Sequence, residues 1–219
     1  MPQLAPPVAQ VGSNGPKRHM RVAPSPMKIE LRKQLRAARR RMPAAEYNRR
    51  SLSAAKNVLR LPGFGAGKRV AVYLPFDRET DTALLLREAR RRGVLLFVPV
   101  VIDRRRCRMQ FHALKGPLKR GHYGIQVPRR SGSAVPARWL NLVVMPLVGV
   151  DAEGCRLGMG AGYYDRALAF RRVQRLRWGP HLVGLAFEVQ RTQETFAEPW
   201  DIRLDSLATE SGLHLLPDK

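Results

Sequence analysis

Apolar positions along the chain follow two alternating patterns. Short continuous apolar runs are typical of strands buried on both faces, and apolar residues three or four positions apart are typical of helices. Continuous runs predict buried strands at 69–75, 94–101, 140–150 and 181–187, and a weaker run predicts an edge strand at 107–114. Helical spacing predicts helices at 27–42, 44–59, 82–92 and 163–177. Strands separated by helices predict an α/β fold in three layers, a mainly parallel sheet with helices on both faces.

The N-terminal segment follows neither pattern. Residues 1–26 contain six prolines and two glycines without an apolar period, so we expect a disordered, proline-rich tail. Ordinary sequence begins where this segment ends, since Ser25 suits a helix cap and Pro26 suits the first helical turn. We expect residues 27–219 to form a single domain, because this length is ordinary for one hydrophobic core.

The first predicted helix has an apolar face and a basic face. Its apolar residues recur at helical spacing between Met27 and Met42. A neighbouring stripe is basic and consists of Lys28, Arg32, Arg36 and Arg39. Lys28 and Arg32 lie one turn apart, so both can contact one phosphate chain. A solvated basic face is the alternative for an arginine-rich helix.

The segment 151–166, DAEGCRLGMGAGYYDR, joins a predicted strand to a helix and contains four glycines. Glycines leave backbone N–H groups unobstructed, and such loops bind phosphate. Arg156 adds a fixed cation that suits phosphate oxygens. The spacing matches neither the GK[S/T] of a P-loop nor the GxGxxG of a dinucleotide fold. On the glycines alone, a flexible turn is therefore an equal alternative.

The composition adds a strong positive charge to this picture. The chain has 219 residues, of which 40 are Lys or Arg and 17 are Asp or Glu, a net charge of +23. Such a field attracts polyanions: nucleic acid, an anionic membrane surface or charged substrates such as ATP. No apolar run approaches the length of a membrane span, so we expect no membrane partner. The two cysteines form no CxxC pair, which favours a reducing compartment, the cytoplasm.

The glycine loop and its surroundings carry a family resemblance. An apolar strand ending in PLVGVD and followed by RLGMGAGYYDR closely resembles the signature of 5-formyltetrahydrofolate cyclo-ligases. Further segments resemble that family in the same order: the opening Lys28-x-x-Leu31-Arg32, YLPFDRETDT at 73–82, the Tyr-Gly-Ile segment within 121–128 and EPWDIRLDSLATE at 198–210. The resemblance covers about residues 27–215. The chain departs from many members at Val127 and from some members at Met159 and Trp200.

The resemblance implies an activity and a fold. It implies an enzyme that uses ATP and Mg²⁺ to convert 5-formyltetrahydrofolate, including polyglutamylated forms, to 5,10-methenyltetrahydrofolate with release of ADP and phosphate. The implied sheet is that of the NagB/RpiA/CoA-transferase-like fold, and we expect a monomer. In this reaction ATP phosphorylates the formyl oxygen, N10 attacks the activated carbon, and phosphate leaves. The protein then mainly positions the reactants and neutralises charge.

The resemblance also assigns roles to individual residues. Arg156 and Lys28 are expected to be catalytic. The expected ATP-binding residues are Lys28, Arg32, Arg156, Leu157, Gly158, Met159, Gly160, Ala161, Gly162, Tyr163 and Tyr164. The residues expected to bind the folate are Leu74, Glu79, Tyr123, Met159, Gly160, Ala161, Gly162 and Tyr163. Asp165 and Asp201 are expected to hold magnesium, which prefers hard oxygen ligands.

Sequence alone leaves structural alternatives for these residues. Asp165 suits the first turn of a helix, where the dipole stabilises a carboxylate, and Asp201 can pair with one of the many arginines. Glu79 also fits an exposed helix start, Tyr123 fits an exposed loop, and Leu74 fits a core. Two other functions stay open. The first is a nucleic-acid-binding module, which agrees with the charge. The sequence has no RNP-like, KH or zinc-finger motif, so nucleic acid is not the expected partner. The second is an inactive relative that binds folate.

Overall fold

The computed structural model describes residues 25–116, 118–120, 126–128, 132–173, 179–194 and 197–217. In these ranges the helices are α1 (Pro26–Arg41), α2 (Ala44–Val58), α3 (Ala83–Arg91), α4 (Tyr163–Ala167) and α5 (Phe170–Val173). The strands are β1 (Arg69–Val72), β2 (Leu95–Asp103), β3 (Arg108–Ala113), β4 (Leu118–Arg120), β5 (Gln126–Pro128), β6 (Ala134–Val135), β7 (Leu142–Met145), β8 (Gly149–Val150), β9 (Arg156–Leu157), β10 (His181–Leu185), β11 (Ser206–Thr209) and β12 (Gly212–Leu215).

Most of the strands form one mixed sheet. Within the described ranges its order is β12-β11-β10-β7-β1-β2-β3-β6. The central strands from β11 to β2 run parallel, and Ala71 of β1 pairs with both Phe97 and Val143. The outer strands β12, β3 and β6 are antiparallel to their neighbours. Because parallel strands end at the same edge, the loops that follow them meet there, where ligands bind in such sheets.

Helices cover both faces of this sheet, as the sequence predicts. On one face α2 and α3 bury Ala54 and Leu85 against strand residues such as Val144. On the other face Leu168, between α4 and α5, is buried with Val143 and Met145. Alternate residues of β7 therefore contribute to opposite cores, which explains its unbroken apolar run. The predicted α/β class with three layers is confirmed.

Helix α1 lies at the carboxyl edge and packs against the segment that precedes the glycine loop. Ser25 caps the helix, and its Oγ accepts a hydrogen bond from the Lys28 N–H at 3.3 Å. Leu31 and Leu35 pack on the buried pair Cys155 and Leu157. A Cβ at position 149 would lie 2.5 Å from Leu35 Cδ1, so the glycine found there lets Leu35 pack without shifting. The docking places the basic face of α1 beside the glycine loop.

Two predicted strands differ from the structure. The run at 140–150 forms β7 and β8, separated at Pro146, which has no N–H to donate to a sheet. The prediction that 107–114 is an edge strand is wrong, because β6 pairs outside β3 at Phe111 and His112. With two residues, β6 is too short to show a period.

Other boundaries shift for local reasons. The helix predicted at 163–177 is interrupted at Leu168, and residues 174–178 lie outside the described ranges. Residues 1–24 of the expected tail are likewise not described, whereas Ser25 and Pro26, which the tail prediction included, belong to the start of α1. None of the described helices is long and apolar enough to cross a membrane.

Candidate active site

The glycine loop runs from β9 to α4 at the carboxyl edge. Gly160 and Gly162 have φ angles of +98° and +66°, which other residues rarely adopt. Met159 is 53% exposed, and Ala161 is exposed beside it. The loop therefore presents backbone and small side chains at the surface, as a close approach by phosphate requires.

Arg32 connects α1 to this loop. Its Nε donates to the carbonyl oxygen of Gly158 at 2.8 Å, and its Nη1 donates to the carbonyl of Lys28 at 3.4 Å. The guanidinium also lies 3.9 Å from the place where a Cβ at Gly160 would stand. Burial lowers the pKa of Arg32, and the charge of Asp201 opposes that effect. The structure thus places this cation directly against the loop.

Lys28 connects α1 to the C-terminal segment. Its Nζ forms an ion pair with Glu198 Oε1 at 2.9 Å, and the Lys28 side chain is only 12% exposed. The same segment turns tightly, because Asp201 Oδ2 accepts a hydrogen bond from the Glu198 N–H at 3.0 Å. Lys28 and Arg32 therefore bring the glycine loop and the 198–201 turn to one end of α1.

Arg156 is held on the inner side of the loop. Its Nη2 donates to Asp165 Oδ1 at 2.8 Å, and its guanidinium lies 5.3 Å from the centre of the Tyr164 ring. The Arg156 side chain is 6% exposed. Among the described residues its buried Nε has no hydrogen-bond partner. A buried cation with an unused donor is suited to an anion that enters the site.

Asp165 on α4 and Asp201 in the 198–201 turn are close enough for their charges to interact. Asp165 Oδ1 also accepts from the Ile202 N–H at 3.3 Å, which ties α4 to the segment that carries Asp201. Burial raises the pKa of Asp201, and the charge of Asp165 raises it further, while Lys28 and Arg156 lower it. Mutual repulsion between two carboxylates is relieved by a cation.

These carboxylates fit a magnesium ion that is completed by other ligands. The described residues contain no group of three His, Cys, Asp or Glu that could hold a metal. Magnesium often takes only one or two protein carboxylates, with nucleotide phosphates and water as its remaining ligands. Asp165 and Asp201 fit that partial site.

The turn after β1 carries the predicted folate residues. Leu74 is 9% exposed, two residues beyond the strand. Glu79 is partly buried, and its Oε2 accepts from the Phe76 N–H at 3.1 Å. Burial raises the pKa of Glu79 to about 7, although that hydrogen bond and the charge of Arg39 lower it. The charge of Glu79 also raises the pKa of Tyr164 on α4. The turn therefore faces the same region as the glycine loop.

Some predicted residues stand apart from this cluster. Tyr123 lies outside the described residues. The Leu157 side chain is 2% exposed and packs against α1, so its place among the ATP-binding residues rests on the loop that it anchors. Sequence reasoning assigned no role to Glu198 or Asp77, which contact the basic stripe. Both residues lie in acidic segments that resemble the family, at 73–82 and 198–210, and this resemblance could have identified them.

Comparisons with known proteins identify the family. The family model described as the 5-formyltetrahydrofolate cyclo-ligase family matches residues 24–210. The chain is 30% identical over 180 residues to the 5-formyltetrahydrofolate cyclo-ligase of Escherichia coli K12, covering 81% of this chain and 97% of that one. It is 29% identical over 178 residues to the Haemophilus influenzae cyclo-ligase, covering 80% and 93%.

Solved structures give the same result. The Aquifex aeolicus 5,10-methenyltetrahydrofolate synthetase matches with a TM-score of 0.74 and 32% identity, covering 88% of this chain and 94% of that one. A synthetase from Mycoplasma pneumoniae matches with a TM-score of 0.66 and 23% identity, covering 84% and 98%, which supports the fold alone. The family match over most of the sequence shows that the chain belongs to the 5-formyltetrahydrofolate cyclo-ligase family.

Proposed function

We propose that this chain, as an ATP-dependent cyclo-ligase, converts 5-formyltetrahydrofolate to 5,10-methenyltetrahydrofolate at the carboxyl edge of its sheet. The observation that carries the proposal is the meeting of α1, the glycine loop and the 198–201 turn through Arg32 and Lys28. This arrangement gathers two cations and two carboxylates around a loop that is open to phosphate. It is the chemistry that ATP and a divalent cation require.

The two cations of α1 bind the phosphate chain of ATP. Arg32 already lies against Gly158 and Gly160, so phosphates cradled by the loop would fall within its reach. Lys28 forms an ion pair with Glu198, whose side chain is 36% exposed. ATP therefore competes with Glu198 for Lys28, and the acid turns toward solvent when the nucleotide binds. The remaining residues from Gly158 to Tyr164 line the phosphates.

Asp165 and Asp201 hold magnesium together with the phosphates. An ion held there would supply positive charge that offsets the charge on the transferred phosphoryl group. Arg156 keeps Asp165 in place through its 2.8 Å ion pair and offers its unused Nε to an entering oxygen. We assign Arg156 and Lys28 as the catalytic cations, because both stand at the phosphate end of the site.

Glu79, Leu74 and Tyr123 bind the folate, together with the exposed loop residues from Met159 to Tyr163. Ionised Glu79 accepts hydrogen bonds from the amino and ring N–H groups of the pterin. The formyl oxygen attacks the γ-phosphorus of ATP, the bond from that phosphorus to the β-phosphate oxygen breaks, and ADP leaves. N10 then attacks the formyl carbon and loses its proton, and the carbon–oxygen bond to phosphate breaks. Holding the reactants in line is the main contribution of the protein.

The strong positive charge suits polyglutamylated folates, and we propose that these are substrates as well. Raising the salt concentration would then raise the KM for a polyglutamate more than the KM for the monoglutamate, through screening over about 8–10 Å. Equal salt dependence for both substrates would remove this proposal.

We also propose a monomer in the cytoplasm, where the two buried cysteines, Cys107 and Cys155, stay reduced. Its single domain begins at the Ser25 cap of α1, and the tail before it has no role in catalysis. Light scattering tests the oligomeric state. Deleting residues 2–24, which spares the Ser25 cap, tests the tail: turnover and melting temperature should stay nearly unchanged.

The deciding experiment is an assay with 5-formyltetrahydrofolate, ATP and Mg²⁺ that follows methenyl absorbance. Product formation that needs both ATP and the metal supports the cyclo-ligase. Tight folate binding without turnover would show an inactive relative instead. Salt-sensitive RNA binding without folate binding would show a nucleic-acid-binding protein.

A further inference from the structure

The second half of α1 converges on one carboxylate. Arg36 donates to Asp77 Oδ2 through Nε at 3.0 Å and Nη2 at 2.7 Å, and Arg40 Nε donates to Oδ1 at 2.7 Å. Arg39 Nη2 lies 3.5 Å from Oδ2. Although burial acts in the opposite direction, the hydrogen bonds from Arg36 and Arg40 hold the pKa of Asp77 below its ordinary value. Three arginines around one largely buried carboxylate differ from an ordinary surface salt bridge, which pairs one cation with one exposed acid.

The backbone of this turn is strained. Asp77 and Arg78 are consecutive residues with φ angles of +51° and +57°, which residues with side chains rarely adopt. Such a conformation persists only where the surroundings hold it. Arg78 Nη2 donates to the carbonyl of Met42, and Tyr47 Oη donates to the carbonyl of Glu79 at 2.7 Å. The turn is therefore clamped from the end of α1 and from α2.

Arg39 is the innermost of these clamps. The residue is 1% exposed, and its Nη2 donates to the backbone carbonyl of Asp77 at 2.8 Å. Its Nη1 donates to the carbonyl of Leu147 at 3.4 Å, so one side chain joins α1, the strained turn and the segment after β7. Burial lowers the pKa of Arg39, and the charges of Glu79 and Asp77 oppose that effect. Burying an arginine costs free energy, and the hydrogen bonds and opposite charge around Arg39 offset part of that cost.

Glu79, two residues beyond Asp77, stands among charges from several elements. Positive charge comes from Arg39 and Arg36 on α1, and negative charge comes from Asp77 in its own turn. Tyr73 at the end of β1 and Tyr164 on α4 also face it, and both have pKa values raised mainly by their own burial. Tyr47 on α2 contacts its backbone. Of the positive charges that lower the pKa of Glu79, that of buried Arg39 has the larger effect and that of Arg36 the smaller.

We propose that Arg39 is the positioning residue for the folate-binding carboxylate: it clamps the Asp77–Glu79 turn from beneath and supplies the buried positive charge behind Glu79. The proposal rests on the proposed function, in which Glu79 binds the pterin. It gives α1 two roles, with its first turns directed to the phosphates and its last turns to the folate. The Asp77 carboxylate is then the group through which α1 holds the turn.

The test uses two substitutions with opposite expected signs. Arg39→Met removes the cation, so Glu79 should ionise at higher pH, and the midpoint in the pH profile of kcat/KM for 5-formyltetrahydrofolate should rise by about one unit. Asp77→Asn removes a repulsive charge, so that midpoint should fall. In both variants the KM for the folate should change at neutral pH while the KM for ATP holds. Arg39→Lys, which keeps the charge, should return the midpoint toward that of the parent.

Arg40→Ala is the matched control. Arg40 shares Asp77 with Arg39, yet its side chain is 53% exposed and its charge is screened, so the midpoint should not move. Midpoints that stay put, or that move in the same direction in Arg39→Met and Asp77→Asn, would overturn the proposal. If Arg39→Met does not fold, Arg39→Gln, which keeps hydrogen-bond donors without the charge, takes its place with the same expected rise in the midpoint.

A direct titration separates this proposal from the proposed function. ¹³C NMR of the glutamate carboxyl carbons, with Glu79 identified through Glu79→Gln, reads its ionisation without any folate. Opposite shifts in the two variants support the charge relation between Arg39 and Glu79. If Glu79→Gln then left folate binding unchanged, the folate role of Glu79 would fail while that relation stood. If the NMR midpoint of Glu79 stayed unchanged in both variants while turnover was normal, the proposed role of Arg39 would be refuted and the proposed function would stand.

Discussion

Polar clusters occupy both edges of the sheet, and they differ in whether their polar groups are accessible and already hydrogen-bonded. At the amino edge, where β10 and β11 begin, His181 Nε2 lies 2.7 Å from Ser206 Oγ, and His181 Nδ1 lies 4.0 Å from Asp205 Oδ2. Arg171 Nη2 donates to Asp205 Oδ1 at 2.5 Å, and the Leu182 N–H donates to Oδ2 at 2.7 Å. In space, the histidine lies between the serine and the aspartate, as in the catalytic triad of hydrolases.

The amino-edge cluster is nevertheless closed. Ser206 is completely buried within the sheet, so no substrate can reach its hydroxyl. At the carboxyl edge, by contrast, Met159 is exposed in a loop of glycines, and Arg156 keeps a buried donor without a partner in the described residues. Residue types therefore do not distinguish the proposed active edge from the amino edge, whereas the exposed backbone of the glycine loop does.

The largest effect should come from Asp165→Asn at the carboxyl edge. The amide keeps the shape of the side chain but loses an anionic ligand, so turnover should fall by about 100-fold or more while the fold is retained. Turnover measured against magnesium concentration, with circular dichroism as the check on folding, gives the result. A rate equal to that of the parent at limiting magnesium would remove Asp165 from the metal site.

Arg32→Ala should weaken nucleotide binding alone. A charge-assisted contact is worth about 1.5–3 kcal/mol, which corresponds to roughly ten- to a hundredfold in affinity. Folate binding measured without ATP should barely change. Calorimetry with each ligand separately checks this, and Lys33→Ala, an exposed lysine next along the same helix, controls for the loss of one positive charge. Equal losses in both variants would reduce α1 to a solvated basic face.

Glu79→Gln should change the pH dependence of stability. Burial raises the pKa of Glu79 from 4.5 to about 7, so the folded protein binds this proton more tightly than the unfolded chain. That stabilisation is fully present below the unfolded value and is lost as pH rises through about 7. The variant should therefore be more stable than the parent at pH 8, by about 1–3 kcal/mol. Urea denaturation at pH 5 and pH 8 measures this, and a gain of equal size at both would contradict it.

Asp205→Asn at the amino edge should have the smallest effect, none of it on turnover. The substitution weakens the contacts from Arg171 and Leu182, so we expect a loss of about 1–2 kcal/mol in the free energy of unfolding. The kcat of the folded variant should equal that of the parent. A large fall in kcat without a fall in stability would show that the two edges are coupled.

Local signals in the sequence were sufficient for much of the fold. The Ser25–Pro26 start of α1 and the apolar run of β7 each depend on neighbouring residues, so their patterns are visible in the chain. The strands β11 and β12 were not predicted. Each strand has only four residues, and His214 on β12 is partly exposed, so neither strand shows a clear hydrophobic period. Their pairing is set by the rest of the sheet.

The candidate site was predictable only in part for a similar reason. The glycine loop is one continuous segment, and its resemblance to a family is plain in the sequence. The pairing of Arg36, Arg39 and Arg40 with Asp77 joins positions about 40 apart and cannot be deduced from spacing. Glu198 likewise meets Lys28 only in the folded chain. Partners that converge from distant segments need a structure to reveal them.

The contact between Lys28 and Glu198 has a consequence for how the enzyme is made. The two residues are separated by 170 positions in sequence, and the glycine loop lies between them. During synthesis α1 emerges first, yet its lysine gains this partner only once the 198–201 turn has left the ribosome. A nascent chain that already holds the central strands β1, β2 and β7 therefore has no carboxylate of this turn beside Lys28. It also lacks Asp201, so the proposed pair of magnesium ligands is incomplete until this turn has been synthesised.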